Sequence, residues 1–390
     1  MAEQYIAEQY MAEQYLAERC MAEQWVLQLC HCYYAPFDDV ARQYTRLFEG
    51  SGIRVLTVYL TGESNKEIEA ITGGDKVIFL EYTSKQVRGL KLNAIKEIKA
   101  LHQEYKFSFA IAHRFKPLYI CTLVPGLNAV GVDHAFGDFA RWSRKLFVWY
   151  FRERINLMGV SEAVAEDVNL SLSPIGFSRC AVQYNHVDFN AIISQQKSRA
   201  EAREKLGLDQ QRYYFLNVGR LHPDKDQTTL IEAFASIANK LPDADLVILG
   251  RGRLEQSLKA LAKHHALENR IHFLGFVADA RAYFPAFDSF VLSSDYEPFG
   301  MVLLEAIAAK LPFAVTNCGG AKEIAERCGG HLFELKNVAS AATAMEQLYK
   351  EQGHSDFDAA LNYFSPEAAR KHFFTLPFVA RYLAVGQSNG

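Results

Sequence analysis

Two carboxylates and two cations stand beside loops in this sequence, and their neighbours decide what chemistry they could do. The carboxylates lie in VLSSDYEPFGMVLLEAIAAKLPFAVTN, residues 291–317. An apolar run from Phe290 to Leu292 predicts a buried strand, and Ser293 to Tyr296 a polar turn. Gly300 then opens a helical pattern with Met301, Leu304, Ile307 and Ala308 apolar. The first amides of a helix have no internal partners, so a strand, a turn and a helix start make an anion site. Glu297 precedes that helix and Glu305 comes eight residues after Glu297, a spacing of about two helical turns. A carboxylate beside phosphate-binding amides would repel the phosphate, so both are expected to face something neutral and hydroxyl-rich, such as a sugar ring. The cations come from VGRLHPDKDQ, where Gly219 is read as a tight exit from a strand and Arg220 and Lys225 project over the same space. Preorganised cations there would stabilise negative charge that develops beside them, an effect on the order of a few kcal/mol. A third loop, ILGRGRL, carries Gly250 and Gly252 after a strand but lacks the third glycine of a dinucleotide fingerprint.

EPFGMVLLEA, the Pro-apolar-apolar strand after it and CGGAKEI together resemble the donor-site signature of family 4 of the retaining glycosyltransferases. The resemblance covers most of residues 157–335 and implies the GT-B architecture of two Rossmann-like domains facing a central cleft. It implies that Arg220 and Lys225 bind the donor diphosphate, with the amides from Gly300 to Val302, Met301 included, taking phosphate oxygens. Phe299 and Gly219 belong to the same donor-binding set. Gly250 and Gly252 would let the nucleoside approach the backbone, and the stretch at Phe276 and Val277 would meet the base. Glu305 would bind ribose hydroxyls and Glu297 the sugar's. Ser161, Asn185 and Asp188 match landmarks that shape the cleft, although a core-facing Asn is the plain alternative. His134, ending NAVGVDH, matches a histidine placed near the donor sugar; His113, ending AIAH, is its rival. A lone histidine is more often structural, but two at neighbouring strand ends point to a site. Where many members carry Gly-Gly after the first strand, this chain has CHCYYAPFDD, so the acceptor is left open.

Positioning these groups takes an α/β framework. From WVLQLC onward, short apolar strands alternate with helical patterns, the mark of a mostly parallel sheet wound by helices. The reading is of two doubly wound domains, residues 26–195 on the acceptor side and 212–364 on the donor side. Helices are expected near Val40–Phe48, Lys85–Tyr105 and Asp138–Arg154. The polar run SQQKSRAEAREK reads as the connection between domains. Residues 365–390 are expected to form a last helix that packs back toward the first domain, with Ser365 as N-cap and Pro366 at the first helical position. Residues 1–25 are five pentads, MAEQY to MAEQW. A period of five smears apolar positions around a helix, so this leader specifies neither a coiled coil nor a core face and is expected to be dispensable.

A chain of 390 residues suits two domains, and 49% hydrophobic with 22% charged residues suits a globular protein. A net charge of −3 gives no general attraction to nucleic acid. Seven scattered cysteines, only Cys30 and Cys32 close together, point to a reducing cytoplasm. Asp243 and Asp245 have the spacing of a metal-binding carboxylate pair but precede a strand, so they read as a turn. No metal is expected to be required, since two cations and a helix terminus can do its work. The charge is uneven: Lys85 to Arg154 holds 13 Lys or Arg against 5 Asp or Glu. In DFARWSRKLFVWYFRERI, Arg141, Lys145 and Arg152 fall within about 40° on a helix, with Trp142 and Trp149 at the edge of the apolar face. That helix either buries its aromatics, as an α/β helix must bury one face, or lies on an anionic membrane.

The function expected is transfer of a hexose from a UDP- or GDP-sugar to a glycan or glycolipid hydroxyl, with retention. Attachment to the inner membrane surface is the expectation if the acceptor is lipid-linked. The alternatives are an epimerase or hydrolase of sugar nucleotides, and a non-catalytic subunit that keeps the donor cleft.

Overall fold

The computed structural model describes residues 24–34, 37–351 and 353–385. The chain divides into two compact units, Met1–His186 with Pro366–Gly390, and Val187–Ser365. The pentad leader lies outside the described residues except for Gln24 and Trp25. Those two belong to the first strand, paired with Ile53 and Arg54.

The first unit holds seven strands, β1 (Gln24–Cys30), β2 (Ile53–Tyr59), β3 (Lys76–Phe79), β4 (Ala110–His113), β5 (Ala129–Asp133), β6 (Ile155–Gly159) and β7 (Cys180–Val182). Each pairing is parallel and the order is β3-β2-β1-β4-β5-β6-β7. The second unit repeats the plan with β8 (Tyr213–Val218), β9 (Ala244–Leu249), β10 (Ile271–Gly275), β11 (Ser289–Leu292), β12 (Phe313–Thr316) and β13 (His331–Phe333), ordered β10-β9-β8-β11-β12-β13. Strands covered on both faces by helices read as unbroken apolar runs. β5, β6 and β9 are buried along their whole length, which is why AVGVD, INLMG and ADLVIL do not alternate. In both sheets the order reverses once, between β1 and β4 and between β8 and β11. In an open parallel sheet that reversal leaves a crevice at the carboxyl ends of the strands, where ligands bind.

Several expected boundaries move, each for a local reason. The basic helix runs only Leu92–Tyr105, because Gly89 and Lys91 both take positive φ and break the chain ahead of it. The aromatic helix is Trp142–Tyr150 and the first helix Phe37–Arg46. The polar run read as a connection is folded. Ser198 and Glu201 form a capping box on the helix Arg199–Leu206, and its Arg203 is buried, bonded to Asp288 at 2.9 Å and to the Ala286 carbonyl at 2.8 Å. The polar face of that helix hid one arginine whose partner lies far along the chain. The tail forms two helices, Pro366–Thr375 and Pro377–Val385, each opening on a proline that the first helical position tolerates. Both belong to the first unit. Phe373 packs edge-on to Phe48 with centroids 5.5 Å apart, and Tyr382 lies 5.8 Å from Phe109 and bonds Asn156.

Candidate functional site

In the second unit, the loops that leave β8 and β11 flank the reversal point and carry the expected charges. Lys225 Nζ donates to Glu297 Oε2 at 2.7 Å, and Ser294 Oγ donates to the same oxygen at 3.1 Å. Ser293 Oγ donates to the Lys225 carbonyl at 2.9 Å, and the Asp295 amide to the Asp224 carbonyl at 3.1 Å. The two loops are thus tied together by backbone and side chain. Glu297 is 8% exposed, and Lys225 is its ion-pair partner. Arg220 is different: its side chain is 75% exposed and lies 3.5 Å from Asp224, available to an incoming anion. Burial pushes the Asp224 carboxyl up, but the His222 hydrogen bond and the cations Lys225 and Arg220 outweigh it and hold the group below its usual range.

Gly300 is the N-cap of the helix Met301–Ala308, at φ 102° and ψ 53°, and as a glycine it brings no capping side chain of its own. A serine or aspartate cap would occupy the amides with its own oxygen. Met301, Val302 and Glu305 are half-buried on this helix. Phe299 turns inward instead, buried edge-on against Phe364 at 5.8 Å, so only its backbone faces the turn. The turn is backed by the helix Gly319–Cys328. The Gly320 amide donates to the Glu297 carbonyl at 2.9 Å, and a Cβ at Gly320 would stand 2.5 Å from the Pro298 carbonyl oxygen. Ser294 and Gly320 were not singled out from sequence; the pattern S-x-x-E and the doubled glycine of CGGAKEI are the signals that could have found them.

The glycine constraint falls elsewhere than expected. Gly219 has no positive φ, and an added Cβ there would meet nothing nearer than 3.7 Å. Gly250 is the constrained position: its φ is 138° and a Cβ would lie 1.9 Å from the Gly219 carbonyl oxygen. A Cβ at Gly252 would lie 2.3 Å from the Leu221 carbonyl oxygen. The loop after β9 therefore lies directly on the loop after β8. The Leu221 amide bonds the Arg251 carbonyl at 3.0 Å and the Gly250 amide the Gly275 carbonyl at 2.8 Å, so the run continues to the loop after β10. There Phe276 is 70% exposed and Val277 half-buried. Ala244 begins β9, and Asp245 is buried among Arg212, Arg270 and His272 at 2.6 to 3.0 Å. Its burial raises the carboxyl, but those hydrogen bonds prevail and hold it low.

In the first unit, the carboxyl ends of β4 and β5 bring the two rival histidines together. His113 Nδ1 and His134 Nε2 share a hydrogen bond of 3.1 Å, one ring donating and the other accepting. Burial, then Arg114, pushes His113 down to about 3. Burial, His113 and Arg114 hold His134 well below the ordinary imidazole range. Both are neutral at physiological pH and act as dipoles, not cations. The Tyr44 ring stands edge-on to His113 at 4.8 Å, and Tyr44 Oη and His113 Nε2 are buried with no partner among the described residues. Arg114, next along, is held at φ 74° and ψ 170°, a region that costs a non-glycine residue about 1–3 kcal/mol. Burial and Asp138 raise the Asp133 carboxyl. Ser161 and Asp188 prove to be helix caps, accepting from the amides of Val164 at 3.1 Å and Ala191 at 2.9 Å. Asn185 is buried with Oδ1 unpaired among the described residues. Among those residues no group of three or more His, Cys, Asp or Glu stands together as metal ligands would.

The geometry can be set beside known proteins. The family model described as glycosyl transferases group 1 matches residues 198–367. The chain is 33% identical over 185 residues to the N-acetylgalactosamine-N,N'-diacetylbacillosaminyl-diphospho-undecaprenol 4-alpha-N-acetylgalactosaminyltransferase of Campylobacter jejuni, covering 47% of each chain. The chain spans about half the length, or less, of the curated relatives it matches first. Among solved structures, a glycosyltransferase from Rickettsia africae superposes with a TM-score of 0.79 at 17% identity, over 93% of this chain and 99% of that one. Anabaena HepE in complex with UDP and glucose gives 0.70 at 19%, over 89% and 97%. The loops that carry Lys225, Glu297 and Gly300 all lie inside the matched residues, and the solved neighbours share the architecture of both sheets. Residues 198–367 thus carry the glycosyl transferases group 1 pattern, and the chain has the GT-B fold of its solved neighbours.

Proposed function

We propose that this chain transfers a hexose from a UDP- or GDP-sugar to a hydroxyl of a glycan or lipid-linked glycan, with retention at the sugar carbon. The observation that carries the reading is the Lys225–Glu297 pair, fixed at 2.7 Å beside the N-terminus of the helix Met301–Ala308, where the N-cap is Gly300. In this reading the donor's C–O bond to phosphate breaks and the electron pair passes to the phosphate oxygen. Arg220, Lys225 and the amides at Gly300 to Val302 stabilise the charge that develops there. The acceptor oxygen bonds the sugar carbon on the same face, and its proton goes to the departing phosphate. No metal is required, because these groups already supply the positive charge. Glu297, with Oε2 occupied by Lys225 and Ser294, offers its other oxygen to the sugar hydroxyls. Glu305 takes the ribose hydroxyls, and Phe276 and Val277 meet the base. His134 serves as a neutral hydrogen-bonding group. The Campylobacter relative's name, a transferase for a diphospho-undecaprenol glycan, supports a lipid-linked acceptor. Such an acceptor would put the enzyme on the inner face of a membrane.

A panel of radiolabelled sugar nucleotides, incubated with and without glycan and glycolipid acceptors, tests the proposal. Sugar moved to an acceptor from one donor is expected. Epimerised or hydrolysed donor with no transfer would replace the reading with an epimerase or hydrolase. Donor binding without turnover would replace it with a non-catalytic subunit.

A further inference from the structure

The helix Trp142–Tyr150 does not bury most of its aromatics. Val148 is buried and Phe147 packs inward on Tyr119 at 5.1 Å and Phe115 at 5.7 Å. The other side leaves Trp142 at 74% exposure, with Leu146, Trp149 and Tyr150 also exposed. Basic groups border these rings. Arg152 lies over the Trp149 ring at 5.7 Å, and Arg141 and Lys145 make no ion pair among the described residues. A second stretch, not singled out from the sequence, joins this surface. Leu90 and Leu92 are both 66% exposed. Lys91 between them takes φ 54°, and its Nζ lies 4.4 Å over the ring of Tyr119, which itself packs on Phe147. The Leu90–Leu92 turn and the aromatic helix are therefore neighbours.

Scattered exposed apolar residues need no explanation, but six large ones gathered within a basic segment mark a binding surface. Trp and Tyr favour the lipid–water boundary, where the ring enters and its polar edge stays wet. Lys and Arg carry their charge to the headgroup level on long apolar stems. A basic rim around aromatic side chains complements an anionic bilayer. No helix of the described residues is long and apolar enough to cross a membrane, so the contact is with one leaflet's surface.

We propose that this face docks the first unit on an anionic lipid surface, with Trp142, Trp149, Leu90 and Leu92 entering the headgroup region and Arg141, Lys145 and Arg152 meeting lipid phosphates. The inference deepens the membrane placement in the proposed function and rests on residues outside the donor loops.

Co-sedimentation and tryptophan emission of the full chain decide it, with phosphatidylcholine vesicles and with phosphatidylcholine–phosphatidylglycerol vesicles, each at low and high salt. Two of the three tryptophans sit on this face, so docking also shifts the emission to the blue. Binding to the anionic vesicles at low salt is expected, weakened by salt. Arg141→Gln and Lys145→Gln should each lower the affinity about fivefold, and the double variant Leu92→Ser, Trp142→Ser should lower it further. Equal, negligible binding to both vesicle types at low salt would overturn the proposal. Full binding by every variant would place the contact on another face and overturn it too. So would sedimentation showing that the face joins two copies of the chain, with no lipid bound. Donor turnover with a soluble acceptor is measured on the same samples. Turnover without docking refutes only this inference, and docking without turnover refutes only the catalytic reading.

Discussion

Lys225 and Glu297 hold each other in place, so each side chain has two jobs that substitution can separate. In the proposed reaction, Lys225→Ala removes a cation from the departing phosphate, and in the fold it takes the ion-pair partner from a buried carboxylate. We expect turnover to fall about 100-fold or more. A double-mutant cycle with Glu297→Gln should show a stability coupling of about 1–3 kcal/mol, because the pair shares one hydrogen bond in a part-buried setting. Glu305→Ala should cost a comparable factor in turnover with little change in stability, since it is half-buried on a helix that packs through its neighbours. Near-normal turnover of either variant with the true donor would move the site elsewhere. The buried histidines His113 and His186 give a pH signature. His113 stays neutral in the fold down to about 3 and His186 down to about 4, while the unfolded imidazoles protonate near 6.5. Below that value the unfolded chain binds protons that the fold does not, so these groups lower stability as pH falls, until the folded values are reached. Asp133, raised by burial, acts in the opposite sense. Comparing the wild type with His113→Asn isolates the histidine. Between pH 7 and pH 5 the wild type should lose about 1–2 kcal/mol more than the variant in urea unfolding. Parallel curves would mean that His113 protonates alike in both states.

Among the loops of the second unit, backbone contact sets the geometry. The chain after β9 rests on the Gly219 carbonyl with no room for a side chain. Gly250→Ala should therefore lower stability by about 2–4 kcal/mol, combining a clash with a φ that alanine avoids. Gly219→Ala, with space around it, should cost no more than about 1 kcal/mol. Equal urea midpoints for the two variants would contradict this packing. Gly320 fixes the turn of Glu297 from behind in the same way, through close approach of two backbones. That contact accounts for the second glycine of the pair after β12, and the first, Gly319, takes a positive φ of 53°.

The first unit is closed by chain segments far apart in sequence. Gln24 and Trp25 extend β1 along Ile53 and Arg54, Trp25 stands edge-on to Tyr105 at 4.9 Å, and Gln24 Nε2 reaches the Leu383 carbonyl at 3.1 Å. A chain starting at Val26 should accordingly melt several degrees below one starting at Met21, by circular dichroism. Identical melting would show these contacts to be without weight. The tail buries Phe373, Val379 and Tyr382 in the same unit, so it is part of that unit's core.

The sequence by itself determined the alternation of strands and helices and the cluster of chemical groups at strand ends. Short apolar runs bounded by turn residues fit strands covered on both faces, and Pro, Gly and paired charges mark the loops between them. It also placed Arg220, Lys225, Glu297 and Gly300 in loops that follow strands, because motif spacing is a local property. What it could not supply were relations across long separations. The ion pair of Lys225 with Glu297, the seat of Gly250 on Gly219 and the burial of Arg203 against Asp288 each join loops or helices remote in sequence. The aromatic helix is the sharpest case. Its pattern fitted a buried face and an exposed one equally, and only the packing of Phe147 and Val148 against the unit decided which side chains stayed outside. Periodicity says which residues share a face, whereas the neighbouring elements decide which face is covered.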